Sequence, residues 1–349
     1  MSVRHLPWLK GAAAALTAGV VAVSIAGCAS TTPSGASTDG ASREITIGWS
    51  AAAPFVLPAL LAADNSVEPF TERGLKFKGS LVSAPDALPL LSTGKLDVFM
   101  GPVSAGVFNA VGHGTDLAIV APGGTSTTAS NWFISTAALK GQPYTGPEQW
   151  KGQTVYTSTG AGSYVMISLA HILEGSDVKL TDLKLTTISP SDVAPAIKNG
   201  SIFAGIPASV KDQQSLLQAG EAINGPSAVW PEGISPGFIF FGSSLLHDDP
   251  ALAQKILDAF VDLYKNDLQG DYQTGPLQAE IAKVLDYEPD QVPTLVTQTY
   301  PADMSFPEGW TKNAEDVWRS LPDVLSYQDS VADKVVDTEL IDKALKDVG

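Results

Sequence analysis

Cysteine is almost absent: Cys28 is the only one in 349 residues. A chain with one thiol near its start forms no internal disulfide and no cysteine-ligated metal centre, and beyond that position it has no thiol nucleophile. Histidine is nearly as scarce. His5, His113, His171 and His247 are the full set, and none lies three or four residues from another, the spacing that puts two imidazoles on one helix face for zinc. Arginine is limited to Arg4, Arg43, Arg73 and Arg319, which leaves few planar forks for a bidentate grip on an anion. Gly-x-Ser-x-Gly, the nucleophile turn of α/β-hydrolases, occurs only as Gly233-Ile234-Ser235-Pro236-Gly237 in a proline-rich stretch, and not at Ser104. Beyond the first 27 residues no apolar run reaches the ~20 residues of a membrane-spanning helix. Basic charge is outnumbered, 21 Lys and Arg against 37 Asp and Glu for a formal net charge of −16, which disfavours nucleic acid and anionic lipid surfaces as partners.

The start of the chain reads as an export signal. Arg4 and Lys10 precede an Ala/Val-rich apolar run from Gly11 to Ala26 that ends in small residues, the three-part pattern of a segment that is removed. Ile25-Ala26-Gly27-Cys28 matches the bacterial lipobox, in which the cysteine takes a diacylglyceryl group and becomes the new N-terminus, so Cys28 is the expected lipidation site. Two acyl chains anchor stably where one does not. Loss of Arg4 and Lys10 takes the formal charge from −16 to −18. The next stretch, ASTTPSGASTDGAS, has too little apolar bulk to bury and is expected to be a flexible tether. About 306 residues remain, enough for about two domains with full cores.

From Glu44 onward, short apolar segments alternate with Gly/Pro/Ser turns and helical stretches: Ile45–Trp49, Leu96–Met100, Leu117–Ala121, Gln153–Thr157, Leu183–Ile188 and Ile202–Ile206 are the expected strands. That alternation is the α/β signature. Helix starts are marked by Ser191-Asp192 before Val193 and by Asp248-Asp249-Pro250, and Leu252, Ile256, Phe260 and Leu263 share one face of the run that follows. From about Asp248 the chain is expected to be mostly helical, with Val317, Trp318 and Leu321, then Leu340, Ile341 and Leu345, as buried stripes. Ser83–Val98 aligns without gaps on Ser189–Ala204, with Ser, Asp, Pro and Gly coinciding at four positions. Each reads as a capped helix, a glycine stop and a strand, so two related lobes with a cleft between them are expected.

Ligands of open α/β sheets bind at the C-terminal ends of the strands. Three turns there share one character: Trp49-Ser50-Ala51 after the first strand, Gly101-Pro102-Val103-Ser104 after the second, and Ser158-Thr159-Gly160-Ala161-Gly162-Ser163 before a helix starting near Tyr164. Glycines let a backbone approach a ligand, free N–H groups at a helix start attract an acceptor, and hydroxyls add donors. The third turn lacks the last glycine of a dinucleotide fingerprint and the lysine of a phosphate loop, so nucleotide binding is not indicated. Asn131-Trp132 and Trp230, with Pro226, Pro231 and Pro236, fall where the chain crosses between lobes.

At Gly94-Lys95-Leu96-Asp97 with Val98–Ser104, and again at Trp150-Lys151-Gly152-Gln153-Thr154-Val155 with Ser158–Ser163, the sequence resembles the nitrate/sulfonate/taurine-type substrate-binding proteins of ABC importers, with thiamine-pyrimidine-type receptors as kin. The resemblance implies a two-lobed periplasmic-binding-protein-like α/β fold of type II, each lobe a mixed sheet flanked by helices, with the ligand cleft between the lobes. The expected layout is signal peptide 1–27, lipidated cysteine and tether 28–43, first part of lobe 1 44–130, lobe 2 131–235, and the return to lobe 1 with C-terminal helices 236–349. It further implies a monomeric receptor lipid-anchored on the extracytoplasmic face, with a small-molecule solute, a permease and an ATPase as partners and no cofactor, metal or catalysis. The positions carried over as ligand-binding are Ser50, Ala51, Gly101, Pro102, Val103, Ser104, Asn131, Thr159, Gly160, Ala161, Gly162 and Ser163. The second lobe departs from the family pattern: Asn199-Gly200-Ser201-Ile202 runs into Phe203 where members have Asp. The alternatives are an exported serine hydrolase using Ser104, whose Gly-x-x-Ser-x-Gly is one residue too long, and a lipoprotein scaffold that binds no solute.

Overall fold

The computed structural model describes residues 43–126, 131–207, 209–228, 237–295 and 298–349. The signal segment, Cys28 and the tether as far as residue 42 lie outside the described residues, as do Trp230, Pro231 and Pro236. Among the described residues there are twelve strands: β1 Ile45–Trp49, β2 Phe77–Leu81, β3 Val98–Pro102, β4 Ala118–Pro122, β5 Thr125–Ser126, β6 Asn131–Ser135, β7 Thr154–Thr157, β8 Lys184–Thr187, β9 Ala204–Gly205, β10 Ala222–Ser227, β11 Gly237–Phe241 and β12 Gln298–Thr299. They form two five-stranded sheets, β2-β1-β3-β11-β4 and β10-β6-β9-β7-β8, and a small β12-β5 pair.

The two sheets have one topology. In the first, β2, β1 and β3 are parallel, β11 runs against β3, and β4 runs against β11. In the second, β8, β7 and β9 are parallel, β6 runs against β9, and β10 runs against β6. Each sheet therefore has a parallel trio, one reversed strand, and a last strand aligned with the trio. The repeated segments occupy equivalent places, as connections into β3 and β9. Ser83 caps helix Ala84–Ser92, and the second copy is a 3-10 turn, Pro190–Asp192, followed by helix Val193–Lys198. Both copies end on a glycine at positive φ, Gly94 at 64° and Gly200 at 73°, where a side chain would strain the backbone.

Alternation along the strands sends neighbouring residues to opposite faces. In the first sheet Val98, Met100, Ile239 and Phe241 join a core with helices Leu57–Asp64 and Pro250–Asp262, whereas Phe99, Phe238 and Phe240 face a second core. Being buried on both faces explains why these strands read as nearly continuous apolar runs. The second core continues into the other lobe: it takes in Phe108, Trp132, Trp150, Met166, Phe203 and, from the helix Trp310–Arg319, Trp310, Ala314 and Trp318. A third core under the far face of the second sheet includes Phe133, Tyr156, Val193, Ile197 and Leu216. Asp249 caps helix Pro250–Asp262, accepting from Leu252 N at 3.0 Å, as its sequence position implies. No helix among the described residues is long and apolar enough to cross a membrane.

Candidate functional site

Because each trio is parallel, the turns after β1, β3 and β7 all lie at strand C-termini, and the structure brings them together in pairs. Ser50 N donates to Met100 O at 3.2 Å, and Ser50 Oγ lies 3.2 Å from where a Cβ on Gly101 would sit. Across the lobes, Ser104 and Ser163 form an isolated antiparallel backbone bridge. Ala105 Cβ is 3.3 Å from the position of a Cβ on Gly162, so only a glycine there permits this approach without displacement. The second and third candidate turns thus touch directly, each from a different sheet.

Several expected positions differ in detail. The strand expected at Leu96–Met100 is Val98–Pro102, because β11 pairs with it through Gly101↔Phe238 and Pro102↔Gly237. Gly101 and Pro102 are therefore ladder residues, and the turn proper is Val103-Ser104. Gly101 accommodates the Phe99 ring, which would stand 2.4 Å from a Cβ at that position. Val103 is buried in the second core. Asn131 opens β6 opposite Ser227, at the same edge as the turns. In the third turn Gly160–Gly162 is a 3-10 turn rather than an open row of amides: Gly160 N donates to Thr157 Oγ1 at 3.1 Å, Ser163 N to Gly160 O at 3.1 Å, and Met166 N to Ser163 O at 3.1 Å. The helix after it, Val165–Leu173, starts on Tyr164 without a side-chain cap. Ser163 is fully buried and shares a hydroxyl–hydroxyl bond of 2.9 Å with Ser158. Thr159 Oγ1 is different. It is buried and has no hydrogen-bond partner among the described residues, a state that costs stability unless something supplies the partner.

Two tryptophans are structural. The Trp49 ring lies over Gly79, where a Cβ would stand 2.5 Å from it. Trp132 is fully buried, edge-on to Trp150 at 5.6 Å, and donates from Nε1 to Ser168 Oγ at 3.1 Å.

Asp97 of the Gly-Lys-Leu-Asp motif belongs to the opposite end of β3, away from the turns. Its carboxylate receives both Arg43 nitrogens at 3.0 and 2.9 Å, Thr46 N at 2.8 Å, Thr46 Oγ1 at 2.9 Å and Ser244 Oγ at 2.7 Å. Burial alone would raise its pKa, but the bonds from Arg43, Ser244 and Thr46 outweigh that and hold it below the ordinary carboxylate value. Phe203, its counterpart in the second lobe, packs edge-on against Trp150 at 5.4 Å. An aromatic contact thus stands in the second sheet where the first has a carboxylate staple, both at the strand starts and away from the turns.

Arginines are committed elsewhere: Arg43 to Asp97 at 2.9 Å, Arg73 to Asp262 at 2.7 Å and Arg319 to Glu315 at 3.2 Å. The histidines also lie apart from Ser104. His113 is one helix length away and bonds to Ser326 Oγ at 2.9 Å, His171 pairs with Glu174 at 3.4 Å, and His247 approaches Asp116 at 3.8 Å. A cavity of about 550 Å³ opens at the N-terminal end of β4, lined by Asp116, Leu117, His247, Lys334, Asp337 and Glu339 among others. It is at the opposite edge of the first sheet from the three turns.

No protein-family model matches the chain, and no curated protein matches it in sequence. Solved structures do. The nitrate-binding protein NrtA from Synechocystis PCC 6803 superposes with a TM-score of 0.64 at 13% identity, over 87% of this chain and 89% of that one. The fold is that of the type II periplasmic binding proteins. The aliphatic sulphonate binding protein SsuA from Escherichia coli superposes at 0.56 with 17% identity, over 82% of this chain and 94% of its own. A mutant of DSZB in complex with biphenyl-2-sulfinic acid does so at 0.52 with 14% identity, over 87% and 99%. The edges where β3 and β7 end meet at the Ser104–Ser163 bridge, and the turns after β1, β3 and β7 carry Ser50, Ser104, Thr159 and Ser163.

Proposed function

We propose that the chain is the solute-binding receptor of an ABC import system, lipid-anchored through Cys28 on the extracytoplasmic face, which captures a small polar solute by closing its two lobes and hands it to a permease. The observation that carries this reading is the meeting of the second and third turns across the lobes at Ser104 and Ser163. Hydroxyl-bearing turns from two sheets converge there, at strand C-termini, which is the geometry of a hinged clamp.

The residue chemistry narrows the solute. The described residues that follow or precede strands at this edge, 50–57, 82–84, 103–104, 123–126, 158–164, 188–193, 206–207 and 228, contain neither Lys nor Arg. A solute held by hydroxyls and backbone amides without an ion pair fits this composition better than a sulfonate clamped by a guanidinium. Thermal-shift measurements on the purified protein against neutral and zwitterionic nutrients, pyrimidines, sulfonates and nitrate test the reading. A dose-dependent rise in melting temperature identifies the solute class by mass action; a flat response across the panel, once co-purified ligand is ruled out, sinks it. Labelling of Ser104 by a fluorophosphonate probe would instead establish the hydrolase alternative.

Thr159→Val makes a sharper point because the two roles of this hydroxyl have opposite signs. If the orphan Oγ1 awaits the solute, its removal leaves the melting temperature of the solute-free chain unchanged or raised and weakens solute binding by about 1 kcal/mol, roughly fivefold. Unaltered affinity by calorimetry for the solute found in the screen would remove Thr159 from the site.

A further inference from the structure

The helix Trp310–Arg319 lies where the two lobes share their core, and one residue on it touches both. Trp318 is fully buried. Its ring packs edge-on against Phe108 at 5.2 Å, on the helix that begins after Ser104. Its indole Nε1 donates to Ser163 O at 3.3 Å, in the third turn of the other lobe. The chain after the helix ties it to the first lobe. Asn109 Nδ2 donates to Val324 O at 2.9 Å, Ser326 N donates to Asn109 Oδ1 at 2.8 Å, and Ile119 N donates to Val335 O at 2.8 Å at the edge of β4. Gly112 leaves room for Tyr327, whose ring would stand 2.6 Å from a Cβ there. Glu315, almost fully buried, accepts from Tyr327 Oη at 2.7 Å, Val331 N at 3.0 Å and Ser330 Oγ, which fastens strap to helix.

We infer that Trp318 is a positioning residue for the solute site: anchored to the first lobe by the strap 320–337, it holds the Ser163 turn of the second lobe in the closed arrangement independently of any solute. The inference rests on the receptor reading for its meaning, but its geometry requires no ligand. A hinge closed by solute contacts alone is fully open without them; here a buried hydrogen bond to Ser163, from a ring seated on Phe108 of the first lobe, biases it toward closure beforehand. Solute then binds a partly preorganised site, which reduces the conformational cost of binding.

The test measures lobe separation without solute. With Cys28→Ser the chain has no cysteine, so Lys151→Cys in the second lobe and Lys255→Cys in the first, both exposed, are the only labelling sites for single-molecule energy transfer on the full chain. Trp318→Phe keeps the ring against Phe108 and removes the N–H. The expected result is a rise of about two- to tenfold in the open-to-closed ratio, the effect of losing one net hydrogen bond. Trp150→Phe is the matched control, since it removes an indole N–H bond to Tyr144 Oη, 3.0 Å long, within one lobe; it is expected to leave the ratio unchanged. Asn109→Ala, which loosens the strap without touching the core, is expected to shift the ratio in the direction of Trp318→Phe and covers the case in which that variant fails to fold. A ratio unmoved by both Trp318→Phe and Asn109→Ala, or moved equally by Trp150→Phe, overturns the inference. Since no solute enters the experiment, failure of the receptor reading would show up only in the thermal-shift screen.

Discussion

Replacing Asp97 with Ala is expected to destabilise the chain by about 3 kcal/mol and to lower its melting temperature by roughly 5–10 °C. The carboxylate is almost fully buried and accepts from Arg43, Thr46 and Ser244, so removing it leaves Thr46 N and Ser244 Oγ without their acceptor at a half-buried site. Arg43 is partly exposed and rehydrates, which keeps the cost below that of a fully buried broken pair. The effect has a definite pH dependence. The folded-state pKa of Asp97 is lowered, so its contribution is fully present above the unfolded carboxylate value of about 4 and is lost as pH falls through the folded value. Chemical denaturation of parent and Asp97→Ala should therefore show a constant stability gap from pH 8 to about 5 that shrinks at lower pH. A gap that stays constant down to pH 2 would mean that packing, not the charge, supports this corner of the sheet.

The central strands of both trios are legible from their β-branched and aromatic residues ahead of Ser/Gly turns: Ile45–Trp49 is a strand over the same residues in sequence and structure, and Gln153–Thr157 shifts by one. Edge strand Phe77–Leu81 is not legible because only Phe77 is buried and its apolar face is interrupted at Gly79, where the Trp49 ring packs, while Lys78 and Ser80 face solvent. The reversed strands Asn131–Ser135 and Gly237–Phe241 were missed for another reason. They enter their sheets from the other lobe, a long-range pairing that leaves no local period beyond an apolar run. The internal alignment of Ser83–Val98 on Ser189–Ala204 carried more than either segment alone, since its two copies connect into matching strands of two sheets of the same order. In the candidate site the turns were legible and their internal bonding was not. Serine and glycine at a strand-to-helix junction read equally as open amides or as a closed 3-10 turn, and Thr157 Oγ1 on Gly160 N decides for the latter. Trp318 read as core, and it is core; its contact with Ser163 depends on a helix 155 residues away in sequence returning between the lobes.

The core beside Phe203, the counterpart of Asp97 in the second lobe, allows a direct contrast with Asp97. Trp150 is fully buried between Trp132 and Phe203, at 5.6 and 5.4 Å, and its N–H bonds to Tyr144 Oη within the same lobe. Trp150→Ala removes a large buried ring from both contacts at once and should cost about 3–5 kcal/mol, the range for aromatic truncation in a core. No carboxylate or imidazole takes part in the stack, and burial, the larger influence, raises the pKa of Tyr144 further from neutrality. The stability gap between parent and Trp150→Ala should accordingly be flat from pH 3 to 8, where that of Asp97→Ala is not. The location of the damage also differs. Trp150 precedes β7, which ends in the Thr159–Ser163 turn, so hydrogen exchange should accelerate through β7 and β9 while β1 and β3 keep their protection, if each lobe opens as its own unit. Equal loss in both sheets would mean that the shared core around Trp318 makes the two lobes unfold together, and the closure attributed to that residue would then be part of one cooperative body.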